Sequence, residues 1–114
     1  MTIIASVLTA VGAFAEEIYD TADYKFTKNT SLWATNGSGN VYIYSGKITG
    51  SDKALLLRGD GTFVFTNSGN TFPGSYRVGY SGEGVVLRMD VAGAFNSSNT
   101  ISYGNICQAP GRAG

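Results

Sequence analysis

The stretch ALLLRGDGTFVFT, residues 54–66, decides how the rest of this chain is read. Two apolar runs flank Asp60-Gly61, the dipeptide that supplies the two positive-φ positions of a type I′ turn. The stretch therefore predicts a β-hairpin in which Gly59 pairs with Thr62, Arg58 with Phe63, Leu57 with Val64 and Leu56 with Phe65. Both faces of that ribbon are largely apolar, so it needs a covering layer on each side.

Downstream, Ser75 to Tyr80 and Gly84 to Val91 read as a second hairpin around Ser81-Gly-Glu-Gly84. Pairing Tyr80 with Val85 also sets Val78 opposite Leu87 and Tyr76 opposite Met89, all on one face. The other face then sets Arg77 against Arg88, a like-charge pair that needs an acid nearby. Asp90, an acid from a neighbouring subunit, or an anionic ligand would serve. Upstream, Tyr24 to Phe26, Leu32 to Thr35 and Val41 to Tyr44 read as strands, with the loop Asn36-Gly-Ser-Gly-Asn40 between the last two. Pro73 forbids a central strand in its loop, and Thr100 to Tyr103 is the final strand. No internal repeat stands out.

Ahead of the β region, Thr2 to Ala15 carries no charge. A secretory signal would want a basic start, yet the first Lys or Arg is Lys25. A membrane span needs about 20 apolar residues, and this run stops at Glu16 and Glu17. Ile4, Leu8, Val11, Ala15 and Ile18 recur at helical spacing, and Val7 and Phe14 widen the stripe. The spacing predicts a helix with two readings. It is either a homo-oligomeric seam through Ile4, Val7, Leu8, Val11, Phe14 and Ile18, or a helix packed on its own β domain. The alternation of Ile3, Ala5, Val7, Thr9 and Val11 also fits a strand donated to a neighbour. The acids Glu16, Glu17, Asp20 and Asp23 that follow read as a solvated helix end.

The chain has 114 residues with eight basic and eight acidic side chains, so its formal net charge is zero. A nucleic-acid binder shows a basic surplus, which is missing here. There is no histidine and Cys107 is the single cysteine, which removes the commonest general base and any intrachain disulfide or thiolate zinc site. Cys107 reads as a free thiol, with an intermolecular disulfide as the alternative. Of the acids in the β region, Asp52, Asp60 and Glu83 fall in expected turns and Asp90 does not, a poor basis for a paired-carboxylate glycosidase. No catalytic, cofactor or metal residues are therefore expected. Arg58-Gly59-Asp60 matches an integrin-binding tripeptide, but hairpin geometry already explains Asp60-Gly61. The Asn-X-Ser/Thr matches at Asn29, Asn36 and Asn96 carry little weight in so polar a chain.

The expected architecture is mainly β: an antiparallel β-sandwich or jelly-roll-like barrel with an apolar N-terminal helix. Residues 1–23 form the N-terminal oligomerisation segment, 24–103 the β domain and 104–114 a tail. The uncharged TIIASVLTAVGAFA lead, the Gly/Asn/Ser/Thr-rich β domain and the missing histidine together resemble, in overall style, small virion proteins of tailed bacteriophages of the decoration, fibre or tail type. An uncharged helix of this kind is best satisfied by burial against other subunits, so the expectation is a non-catalytic structural subunit, which the resemblance puts on a virion or extracellular surface. Its partners would be copies of itself, a trimer for preference, and other structural proteins, with no nucleic acid and no membrane span. The alternative is a carbohydrate-binding or adhesin module that meets a glycan through Trp33, Tyr42 and Tyr44, with Arg77 and Arg88 on a ligand face. A second alternative is a subunit of an extracellular filament.

Overall fold

In the computed structural model, which describes residues 15–35 and 38–104, Ala54–Phe65 is a single strand of 12 residues. The expected hairpin is absent for a backbone reason. A type I′ turn needs positive φ at both Asp60 and Gly61, and neither has it. The positive φ, 102°, belongs to Gly59, where an added Cβ would sit 2.5 Å from the carbonyl oxygen of Ala34. Gly59 thus turns the strand through a corner where two stretches of backbone meet too closely for any side chain.

The two halves of this strand accordingly join different sheets. The described chain contains β1 (Glu17–Asp20), β2 (Tyr24–Phe26), β3 (Thr30–Ala34), β4 (Asn40–Tyr44), β5 (Ile48–Gly50), β6 (Ala54–Phe65), β7 (Ser75–Val78), β8 (Gly84–Arg88) and β9 (Thr100–Tyr103). Every pair among these strands is parallel. The first sheet runs β1, β4, the second half of β6, then β8. The second pairs β2 with β5. The third runs β3, the first half of β6, β7, then β9. The chain visits the three sheets in turn and returns one rung higher, which sets Glu17 beside Val41, Asn40 beside Gly61 and Thr30 beside Leu55. This is a parallel β-solenoid of about four turns.

The antiparallel sandwich or barrel is therefore wrong. Its strands would reverse at each turn, whereas here each corner redirects the chain sideways. The second expected hairpin fails in the same way. β7 and β8 pair with opposite halves of β6, and the bond from the Glu83 N–H to the Tyr80 carbonyl closes a corner between them. Arg77 sits between Leu56 and Ser102, and Arg88 beside Val64, so the like-charge pair does not exist. Among the described residues the only helical piece is the 3₁₀ turn Ala92–Ala94. The stretch expected as a helix, residues 1–23, contains strand β1, and its positions 1–14 lie outside the described chain.

Strand alternation sorts each rung into an inner and an outer set. Inner columns stack Ile18, Tyr42, Phe63 and Leu87 on the first sheet, and Leu32, Leu57, Val78 and Tyr103 on the third. In-register stacking sets like rings over one another: Tyr42 and Phe63 at 5.8 Å, Tyr44 and Phe65 at 5.3 Å. Phe26 and Phe72 meet edge-on at 6.1 Å and fill the second side. Among the described residues no strand pairs with the upper edge of β5. Asn70 stands in for one: its buried carboxamide oxygen accepts the Ile48 N–H at 2.7 Å, while Thr71 and Phe72 donate N–H groups to the Ile48 carbonyl.

Candidate functional site

With Leu32, Leu57 and Val78 turned inward, alternation sends Trp33, Arg58 and Arg77 to the outer face of the third sheet. Trp33 and Arg58 are direct neighbours across the parallel β3–β6 pair. The Arg58 guanidinium lies 4.6 Å from the Trp33 ring centre and 4.5 Å from that of Tyr80, which leaves the corner just after β7. Arg77 closes the series 5.6 Å from the same Tyr80 ring. The result is a ladder, Trp33–Arg58–Tyr80–Arg77, that climbs three turns of the solenoid.

Glu83 fixes the middle of the ladder. Its carboxylate accepts the Arg58 Nε–H at 3.1 Å and an Nη2–H at 2.9 Å, the forked geometry that guanidinium and carboxylate share. The Arg58 hydrogen bond holds the Glu83 carboxyl below its ordinary range, and Glu83 in turn raises Arg58. Trp33 and Tyr80 remain 50% and 47% exposed. The two ion pairs of the described residues are Arg58–Glu83 and Arg88–Asp90, so Arg77 has no carboxylate partner among them.

Only part of the expected ligand face comes together. Trp33 and Arg77 share this outer face. Tyr42 and Tyr44 do not, because both rings are buried in the inner columns. Arg88 projects from the first sheet and is held by Asp90 at 2.9 Å, the partner that the sequence offered for it. The reading of the sequence missed Arg58, Tyr80 and Glu83, since a hairpin register separates them from Trp33. The signal was the step from Trp33 to Arg58, one full turn of the solenoid.

Of the expected oligomer seam, Ile4, Val7, Leu8, Val11 and Phe14 lie outside the described residues, and Ile18 is packed against the core. Arg58-Gly59-Asp60 runs along a strand, with Arg58 bound to Glu83 and the Asp60 carboxylate accepting the Ser38 hydroxyl at 2.6 Å. Among the acids of the first turn, Asp20 accepts the Ala22 N–H and the Tyr24 hydroxyl, Glu17 accepts the Tyr19 hydroxyl, and Asp23 accepts the Lys47 N–H. Among the described residues no three His, Cys, Asp or Glu side chains gather as a metal site, and no helix is long and apolar enough to cross a membrane. No protein-family model, curated protein or solved structure matches the chain.

Proposed function

We propose that this chain is a non-catalytic structural subunit of a larger assembly, of the virion fibre or tail type, that works through contacts between subunits. One observation carries the reading. In the inner column Leu32–Leu57–Val78–Tyr103, Val78 is 1% exposed and the last member, Tyr103, is 54% exposed. Among the described residues the final rung, β8 and β9, has a strand neighbour on one side only. An open parallel edge above a half-covered apolar column is a surface that another rung fits. The first rung of a second copy would offer Ile18 over Leu87 and Leu32 over Tyr103 with the same strand direction.

Such stacking is head-to-tail and does not close, so it builds a filament and not a ring. The resemblance to small phage virion proteins supports the same class of role by analogy of sequence style. Sedimentation of the full chain over a range of concentrations tests it. The expected result is concentration-dependent association into elongated species, weakened in Tyr103→Asp. A wild-type chain that stays monomeric throughout overturns self-association as the mode of action.

A further inference from the structure

We infer that the outer face of the third sheet binds an acidic glycan along the Trp33–Arg58–Tyr80–Arg77 ladder. The inference is independent of the proposed assembly role, because it uses a side face of the solenoid and leaves the end rung untouched. Pyranose rings carry flat C–H faces that pack on half-exposed aromatic rings, and a uronate carboxylate accepts a guanidinium fork. The ladder offers both. Trp33 and Tyr80 supply the aromatic surface, and Arg77 supplies a cation without a carboxylate partner among the described residues.

The other two members prepare the surface without meeting the ligand carboxylate. Arg58 is gripped by Glu83 through both Nε and Nη2, so it spaces the Trp33 and Tyr80 rings at a fixed distance on either side of itself. The rings are ordered before any ligand arrives, which lowers the entropic cost of binding. The Glu83 charge also cancels that of Arg58, leaving Arg77 as the anion-seeking end. Trp33, Arg58 and Arg77 stand on three successive rungs, a span of about 10 Å along an open sheet face. An open surface of that kind suits a segment of a polymer. Zero net charge and a single unpaired cation on the ladder disfavour a nucleic acid, which gains its affinity from many phosphate contacts.

Trp33 is the only tryptophan, so intrinsic fluorescence reads the ladder directly. The full chain is titrated with oligogalacturonate and, separately, with its methyl ester, the same sugar without the charge. The expected result is a saturable change in Trp33 emission with the acid form, weakened by salt and weaker with the ester. Arg77→Gln loses about tenfold in affinity, the scale of one charged hydrogen bond, while Arg88→Gln on the first sheet binds as the wild type does. Circular dichroism of both variants confirms that the fold is kept, and Arg77→Lys, which retains the charge without the fork, falls between Gln and Arg. Three results overturn the inference: no response to oligogalacturonate, equal affinity in Arg77→Gln, or polyglutamate binding as tightly as the glycan. None of these depends on whether the chain self-associates.

Discussion

Two stacks run along this solenoid, one inside and one outside, and they differ in what holds them. Inside, Tyr42, Tyr44, Phe63 and Phe65 stack in contact with one another and are excluded from water, so they are held by burial. Outside, Trp33, Arg58, Tyr80 and Arg77 alternate aromatic and cation, with both rings half in water, and are held by an ion pair and by the backbone beneath. The same one-turn register produces both. The inner stack makes the fold, and the outer stack is placed by it.

The widest gap between them should appear on truncation. Phe65 is fully buried against Tyr44, Tyr76 and Phe95, so Phe65→Ala leaves a cavity in the middle of the column. We expect a loss of about 3–5 kcal/mol in denaturant unfolding. Trp33→Ala, an equally drastic change in size, should cost less than about 1 kcal/mol because half of that ring already faces water. Similar losses at the two positions would mean that the outer ladder is part of the core.

Alkali should act chiefly through two buried tyrosines, Tyr44 and Tyr76. Burial pushes the hydroxyls of Tyr44 and Tyr76 up to about 12 from an ordinary value of 10.0, with the Asp20 charge adding to the effect at Tyr44. A group whose folded pKa is raised adds stability that is complete below the unfolded pKa and is lost as pH rises through the folded one. Stability should therefore fall between about pH 10 and 12, and two tyrosines should ionise only as the chain unfolds. Ultraviolet tyrosinate absorbance followed alongside circular dichroism checks this. Ionisation of all seven tyrosines before the fold is lost would contradict it.

A smaller effect of opposite sign is expected at one inner hydroxyl. Tyr76 is fully buried and its hydroxyl has no hydrogen-bond partner among the described residues. An unmet buried donor costs free energy that Phe does not incur, so Tyr76→Phe should stabilise the chain by about 1 kcal/mol. The same variant should remove the contribution of Tyr76 from the alkaline transition. A destabilised Tyr76→Phe would show that the hydroxyl is satisfied in solution.

The sequence made the strands legible but not their direction. Tyr24 to Phe26, Val41 to Tyr44 and Thr100 to Tyr103 are strands as expected, because alternation and β-branched or aromatic residues are local signals. Direction depends on what happens at corners. Asp60-Gly61 is chemically a good hairpin turn, yet the flexible residue actually used is Gly59. Its use is set by the nearby Ala34 carbonyl, a contact that exists only once β3 lies beneath β6. The repeat was equally hard to see. Tyr42, Phe63 and Leu87 occupy equivalent positions on successive turns, but they are unevenly spaced in the chain and their identities change. An inner column demands only apolar bulk, so it repeats a pattern and not a residue. The outer ladder was half visible for the same reason. Trp33 and Arg77 stood out by type, whereas Arg58 and Tyr80 gain meaning only once the turns are stacked.

The smallest effect sharpens the claim that the outer stack is placed by the fold. The Arg58 hydrogen bond holds the Glu83 carboxyl below its ordinary 4.5. A lowered folded pKa gives stability that is complete above the unfolded value and lost as pH falls through the folded one. Glu83→Gln should therefore lower the melting temperature by only a few degrees at neutral pH, and the difference from wild type should vanish in acid, where the wild-type carboxyl is itself neutral. The optical signature should be larger than the thermal one. Without the fork, Arg58 no longer spaces the two rings, and Trp33 emission should shift at neutral pH while the far-ultraviolet circular dichroism stays the same. If Glu83→Gln instead unfolded the chain, the ion pair would be carrying the corner between β7 and β8, and the outer ladder would belong to the architecture after all.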